Sequence, residues 1–332
     1  MSRRPEARSV IVESGPVASM LRFLALRAGR AILTLLICVS GVFIALRLAG
    51  DPADIMLSID TPPDVRAYYR ELWGLDRPLA EQYGRYLLSA ARGDFGLSFA
   101  DERPAFDAVI EALPKTALLG GSALMLALVI GLPLGMLAAL RHNSAVDRLA
   151  MASAVFGYAI PIFFLGILLI LLFALKLRVL PSAGSDTPWH LILPTVTLAL
   201  PLAGRLARFA RTATLEVLGK PFIRAARGRG VLPFGILLRH ALPNAAVPLL
   251  MFLGIEIGHI LAGSAVVETI FAWPGIGRLL VDSVSTRDLA VVQAVILTIT
   301  FVMVGANLLV DILHILVDPR LGGFRRAAGA QA

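Results

Sequence analysis

From Ala117 to Leu140 the chain carries no charged side chain. A helix of about 20 such residues, rising about 1.5 Å per residue, covers the hydrocarbon core of a bilayer. Five further stretches have a similar character, at roughly residues 30–49, 150–175, 191–209, 245–267 and 291–317. A chain of 332 residues that is 57% hydrophobic and 16% charged, with mean hydropathy +0.79, exposes too much apolar surface for a soluble domain. The pattern predicts an all-α membrane protein with six transmembrane helices.

The charges between these stretches set their direction. Arg3, Arg4, Arg8, Arg22 and Arg27 precede the first span, and no small-residue cleavage pattern follows them. Residues 1–28 therefore read as a cytoplasmic tail, and the first span runs outward. Residues 51–113 are acidic, with Asp51, Asp54, Asp60, Asp64, Asp76 and Asp94 among others, and form an extracytoplasmic insert. Within it Pro62-Pro63 can start a helix through Tyr68 and Trp73. Gln82, Tyr83, Tyr86 and Leu87 mark a second, amphipathic one. The second span ends at Arg141 and His142, and the fourth at Arg205, Arg208 and Arg211, both inside. Arg320, Arg325 and Arg326 follow the sixth, so residues 321–332 form a cytoplasmic C-terminal tail and both termini lie inside. Topology and anionic lipid account for the net charge of +8. Nucleic acid is excluded as a partner, since no separate basic domain with stacking aromatics exists. Cys38 is the single cysteine and reads as a small core residue.

A polar, basic island interrupts the apolar pattern at residues 216–244. Gly219 suits the left-handed residue past a helix end, and Pro221 suits the first turn of the next helix. Gly230 breaks the run, Pro233 opens a second short helix, and Pro243 closes it. Phe222, Ile223, Ala225, Ala226, Ile236, Leu237 and Leu238 give the two helices apolar surface, ringed by Arg224, Arg227, Arg229 and Arg239. Orientation alone accounts for basic charge in such a loop. The order of residues adds the shape of a docking knob.

Elsewhere, Glu256 and His259 sit at i and i+3 inside the fifth span. Ionisable groups there face a protein interior or a wet cavity. Two uses remain open: a structural pair that satisfies itself, or a lining of the translocation pathway that touches a polar solute. A helical di-iron site would need partner carboxylates that the chain does not offer, and the other histidines are dispersed, so no metal is expected. Arg47 snorkels at the outer end of the first span. Asn307 and Asp311 read as packing groups of the sixth. Gly219-Lys220 lacks the preceding glycine of a phosphate-binding loop, and Gly228-Arg229-Gly230 lacks the strand and third glycine of a dinucleotide site. No catalytic residue is assigned and no cofactor is expected in this chain.

The spacing of Ala225-Ala226, Gly230 and His240-Ala241-Leu242-Pro243 resembles the "EAA" loop of ABC importer permeases. Arg224 stands where many such loops carry glutamate, and His240 where they often carry isoleucine. Further signatures run through the chain: Leu48-Ala49-Gly50-Asp51-Pro52, Gly74-Leu75-Asp76-Arg77-Pro78-Leu79, Gly93-Asp94-Phe95-Gly96 and Gly131-Leu132-Pro133-Leu134-Gly135. Later come Val267-Glu268-Thr269-Ile270-Phe271, Trp273-Pro274-Gly275-Ile276-Gly277-Arg278 and Asp318-Pro319-Arg320. In this order they resemble the B-type permease subunit of dipeptide/oligopeptide ABC importers, a group that also includes nickel and glutathione systems.

The resemblance implies a type I importer permease fold in a bacterial inner membrane, forming half of a pathway for peptides. Its implied partners are a homologous C-type permease, two ABC ATPases that bind ATP and magnesium, and an extracytoplasmic solute-binding protein. Arg224, Ala225, Ala226, Gly230, His240, Leu242 and Pro243 would couple to the ATPases. Trp273, Pro274, Gly275, Gly277 and Arg278 become candidates for an outer gate or a binding-protein contact, with an interfacial anchor as the simpler use. A secondary transporter driven by protons through Glu256 and His259 is the alternative; no internal repeat supports it.

Overall fold

The computed structural model describes residues 16–317 except 49, 51, 52, 55, 56, 58, 59, 73 and 99. Asp51, Pro52, Trp73, Asp318-Pro319-Arg320, the arginines beyond them and the C-terminal tail lie outside the described residues. The described chain is helical, with one isolated antiparallel bridge, Leu97 to Pro104.

α1 spans Pro16–Leu48. It starts well before the expected end of the N-terminal tail at residue 28, because nothing in 16–28 stops a helix. α2 (Pro63–Leu72) and α3 (Leu79–Arg92) form the insert as expected. α3 is pinned to the C-terminal half of α1. Ser40 Oγ and Tyr83 OH lie 2.6 Å apart, and the Phe43 ring packs 5.3 Å from Tyr83 and 5.5 Å from Tyr86. Arg47 places its guanidinium 5.3 Å from the centre of that same Phe43 ring, so the expected snorkelling arginine has an aromatic seat.

α4 spans Ala105–Leu140, twelve residues longer at its N-terminal end than the expected span, and so takes in the last part of the insert as drawn at residue 113. Pro114 and Pro133 both lie inside it. The third span is not one helix. α5 (Ala145–Ala159) and α6 (Ile162–Leu169, continued by a π-helical turn, Ile170–Lys176) meet at 95°. Ile160 is extended, as a residue before proline prefers, and Pro161 has no N–H to continue the ladder. Among the described residues, five helices are long and apolar enough to cross a membrane, or six if the bent pair is one span.

α7 (Ile192–Leu218) is the central element, packed against α4, α5 and α10. Its closeness to α4 follows from small residues. A Cβ on Gly131 would stand 2.6 Å from the carbonyl oxygen of Ala203, and one on Gly135 would collide with that of Ala207. Gly204 meets α5 at the Ala154 carbonyl in the same way. Lipid supplies no hydrophobic drive between helices, so backbone approach through glycine and alanine has to supply the dispersion contact.

α8 (Pro221–Gly228) and α9 (Pro233–Ile236) make the two-helix knob. A π-helical turn, Leu237–Ala241, carries α9 directly into α10 (Leu242–Ile270). α11 (Ile276–Ser285) and α12 (Leu289–Val317) complete the chain. α1 lies on α12 and α3 at the edge, exposing Ile32, Leu33, Ile37 and Ile44.

Candidate functional site

The knob forms as its punctuation requires, with two corrections. Gly230 has φ +78°, a left-handed conformation that glycine adopts without strain, and turns the chain between α8 and α9. Gly219, in contrast, is right-handed at φ −77°, and the break falls at Lys220, extended before Pro221. Pro243 does not close α9 either. It lies in the first turn of α10, just past the wide π-helical turn, where its missing N–H breaks nothing.

One face of the knob is cemented to the subunit. Ile223, Ile236, Leu237 and Ala241 are buried in a cluster with Met136 of α4 and Leu206, Ala210 and Val217 of α7, and Ala226 is buried as well. The other face stays bare in this subunit. Phe222, Leu232, Phe234 and Leu238 are exposed, and so are Arg224, Ala225, Arg227, Arg229 and Arg239. His240 and Leu242 are half-buried and Pro243 is exposed. The His240 carbonyl accepts a bond from Asn244 Nδ2 at 2.7 Å. A rigid base with an apolar and cationic outer surface can transmit a push without deforming.

Near the middle of α10 the Glu256–His259 pair acquires a third member that the sequence reading left in the topology. Arg205 of α7 grips Glu256 of α10 in fork geometry, with Nε to Oε1 at 3.0 Å and a terminal nitrogen to Oε2 at 2.6 Å. The Glu256 side chain is 2% exposed, whereas His259, 3.5 Å from the same carboxylate, is 61% exposed. The carboxylate is thus satisfied chiefly by arginine, and the self-satisfied Glu–His pair is not what the structure contains. A charge at the centre of a spanning helix costs roughly 2.5–3.5 kcal/mol to insert; the fork offsets that cost for both partners. An arginine at i−51 in sequence from a glutamate has no periodicity to betray it.

The Trp273–Arg278 signature is a buried knot. Glu268, fully buried near the end of α10, accepts from the backbone N–H of Gly277 at 2.8 Å and Arg278 at 3.0 Å, and from Thr116 Oγ1 at 2.7 Å. The Thr116 hydroxyl also accepts from Ile276 N at 2.8 Å. A carboxylate at the N-terminus of α11 satisfies donors that no intrahelical carbonyl can reach. Trp273 is 2% exposed and donates to the Lys115 carbonyl at 3.0 Å, so it is no interfacial anchor. Gly275 and Gly277 are buried, and a Cβ on Gly277 would strike the Ala265 backbone. Only Pro274 of the five named residues is fully exposed, with Arg278 half-buried.

A second charged clamp, between α5 and α7, was not anticipated. Arg211 of α7 donates to Asp147 of α5 through Nε at 2.6 Å and a terminal nitrogen at 2.8 Å. His142 stands 3.3 Å from Asp147, and the left-handed Asn143 donates its N–H to that carboxylate at 2.9 Å. The clamp fixes the turn between α4 and α5 against α7.

A helical bundle with a bent third span, a central α7 and a two-helix knob has the fold of a type I ABC importer permease. The chain belongs to the family described as binding-protein-dependent transport system inner membrane component, whose model matches residues 131–323; the N-terminal model of the same systems matches residues 20–120. Among its relatives is the glutathione transport system permease protein GsiC of Escherichia coli strain K12, 40% identical over 274 residues, covering 82% of this chain and 90% of that one. The protein of the same name in Shigella flexneri serotype 5b is 39% identical over the same length. Inward-facing structures of the MetNI methionine ABC transporter share the fold, with a TM-score of 0.53 at 20% identity over 63% of this chain and 96% of that one. The family is one of transport permeases rather than enzymes, and of these two transport readings the ABC importer is the one it supports.

Proposed function

We propose that this chain forms half of the pathway of an importer for peptide-like solutes, of the glutathione and di- or oligopeptide kind, and couples it to two cytoplasmic ATPases through the 221–242 knob. The observation that carries the coupling is the knob's division into two faces. One is buried on α4 and α7, and the other presents Phe222, Phe234, Leu238 and four arginines that the described subunit does not cover. Apolar surface rimmed by guanidinium groups is what a protein interface uses. Motion of the ATPases would reach α7 and α10 directly, because the knob is continuous with both. ATP and magnesium would belong to those subunits. A homologous permease would supply the other half, a solute-binding protein would deliver from outside, and both termini would lie in the cytoplasm. Relatives named for glutathione transport favour a peptide-like solute over nickel.

The test is co-purification with the ATPases encoded beside it. Phe222→Asp with Phe234→Asp alters only exposed positions, and should abolish ATPase retention while the permease stays monodisperse at wild-type abundance. Retention by that variant would place the coupling elsewhere. Uptake of labelled glutathione and of dialanine by cells carrying the complete system then separates the solutes.

A further inference from the structure

α4 and α5 meet in a turn that separates two long stretches without charge, residues 117–140 and 149–175. The charged side chains between them, Arg141, Asp147 and Arg148, therefore stand at the edge of the hydrocarbon, at the depth of lipid headgroups. Asp147 holds Arg211, seven residues before the end of α7 at Leu218, so the turn lies at the same end of α7 as the knob. That clamp uses the turn's one carboxylate. Arg141 and Arg148 are exposed, and neither meets a carboxylate among the described residues. Arg148 donates to the Asn143 carbonyl at 3.2 Å, which brings its guanidinium back to the turn. Arg141 extends α4 by one residue, its N–H bonded to the Leu137 carbonyl at 3.1 Å. Three arginines against one carboxylate leave the turn a net charge of +2 with His142 neutral. Bare apolar surface adjoins both free arginines. Leu137, one turn before Arg141, is 43% exposed; Leu149, next to Arg148, and Phe156, seven residues on and so on the same face of α5, are 71% and 69% exposed. Ser153, between them, donates to the Ala150 carbonyl of its own helix at 2.9 Å, so its hydroxyl needs no outside partner. Such a face suits acyl chains, whereas the exposed face of α10 carries the ionisable His259.

We infer that the α4–α5 turn is a binding site for an anionic phospholipid, its phosphate taken by Arg141 and Arg148 and an acyl chain lying along Leu149 and Phe156. Arginine suits both parts, since its stem covers apolar surface and its planar donors meet phosphate oxygens in pairs. A zwitterionic lipid brings its own cation, which the net charge of the turn repels, so the site selects for charge and not for phosphate alone. Asp147 and Arg211 are positioning residues: they fix the turn, and with it both contacting arginines, against α7. Only the choice of leaflet rests on the reading that the knob meets cytoplasmic ATPases, which puts this lipid in the cytoplasmic leaflet.

The test uses the whole complex, permeases and ATPases, in phosphatidylcholine nanodiscs that hold a small fraction of a lipid with a photoreactive diazirine in its acyl chain. The probe is phosphatidylglycerol in one sample and phosphatidylcholine in the other, with identical chains. Cross-links to the α5 peptide that contains Leu149 and Phe156 are counted by mass spectrometry. Each arginine near an anionic surface contributes roughly fivefold in affinity, so the phosphatidylglycerol probe should lead by about 25-fold. Arg141→Gln with Arg148→Gln, which leaves the Arg211–Asp147 clamp intact, should bring the ratio close to one, each single variant should fall between, and Arg141→Lys with Arg148→Lys should restore it. Lys176→Gln with Arg178→Gln removes as much charge beyond the other end of the broken span and should leave the ratio unchanged. Equal cross-linking of the two probes by the wild-type complex would overturn the site, as would an equal loss in the Lys176 and Arg178 variant. Absence of cross-links from both probes would show the α5 face covered by protein and overturn it too. Displacement of the phosphatidylglycerol probe by excess inorganic phosphate would reveal a free-anion site in place of a lipid one. ATPase retention is scored on the same samples, so a failure of the knob reading is seen separately from a failure of the lipid site.

Discussion

Replacing Glu256 by glutamine should destabilise the subunit before it affects any transported solute. The substitution keeps the side-chain shape but removes the charge that Arg205 meets at 3.0 and 2.6 Å. Breaking a buried pair by neutralising one member costs about 3–5 kcal/mol, because the other charge is left uncompensated. Arg205 is 32% exposed and can recruit some water, so the lower end, about 3 kcal/mol, is expected. For a domain of this size that corresponds to roughly 5–10 °C in thermal midpoint. Replacing both members, Arg205→Met with Glu256→Met, removes both charges together and should recover most of the loss, as volume-matched apolar replacements of buried pairs do. The assay is the temperature at which half of the detergent-solubilised protein leaves the monodisperse chromatographic peak, for wild type, both single variants and the double. A Glu256→Gln midpoint equal to wild type, or a double variant as unstable as the sum of the singles, would show that the fork is solvated and contributes nothing. Transport should then be compared only at equal membrane abundance, which separates the structural part of Glu256 from its part in the pathway.

Three further outcomes follow from the packing. Gly135→Ala should cost about 1–3 kcal/mol and lower the thermal midpoint, because its Cβ meets the Ala207 carbonyl, whereas Gly121→Ala, with nothing within 4 Å, should be neutral or stabilising. Thr116→Val keeps the shape but removes the hydroxyl that donates to Glu268 and accepts from Ile276. A loss of about 2–3 kcal/mol and faster proteolysis of the α10–α11 connection are expected; unchanged digestion would mean that the knot is held by packing alone. Burial pushes the Tyr86 hydroxyl up to about 12 from its ordinary 10.0. The folded state thus holds that proton more tightly, and the contact between α3 and α1 should be fully kept below pH 10 and lost as pH rises towards 12, while Tyr86→Phe should abolish that dependence as read by Trp or Tyr absorbance titration.

Chain order and periodicity carried the fold a long way. Lengths of apolar sequence are fixed by bilayer thickness, so the spans could be counted from hydropathy. Proline and glycine at 221, 230 and 233 dictate backbone geometry locally, so the two-helix knob was legible as well. Helix ends were less so. α4 begins at Ala105 because nothing in its first turns opposes a helix, although those residues look like part of a polar insert. Pro161 turned one apparent span into two helices at 95°, while Pro133, Pro201 and Pro248 lie inside helices that continue past them. The same residue type can bend, break or do neither, and its neighbours in space decide which.

The division between sequence and structure follows from the range of the forces involved. Hydrophobic burial in a membrane, capping and backbone preference act over a few residues and are written along the chain. Ion pairs and close packing act between residues that only folding brings together. Glu256 was visible as a costly charge, but its partner Arg205 could be found only once α7 and α10 were side by side. The glycines of Trp273-Pro274-Gly275-Ile276-Gly277 were visible as turn residues on an outer loop. Tertiary structure turned them inward, where Gly277 lets α11 approach the α10 backbone and Glu268 caps it. Sequence fixed which residues are expensive to bury; the arrangement of helices settled what each is buried against.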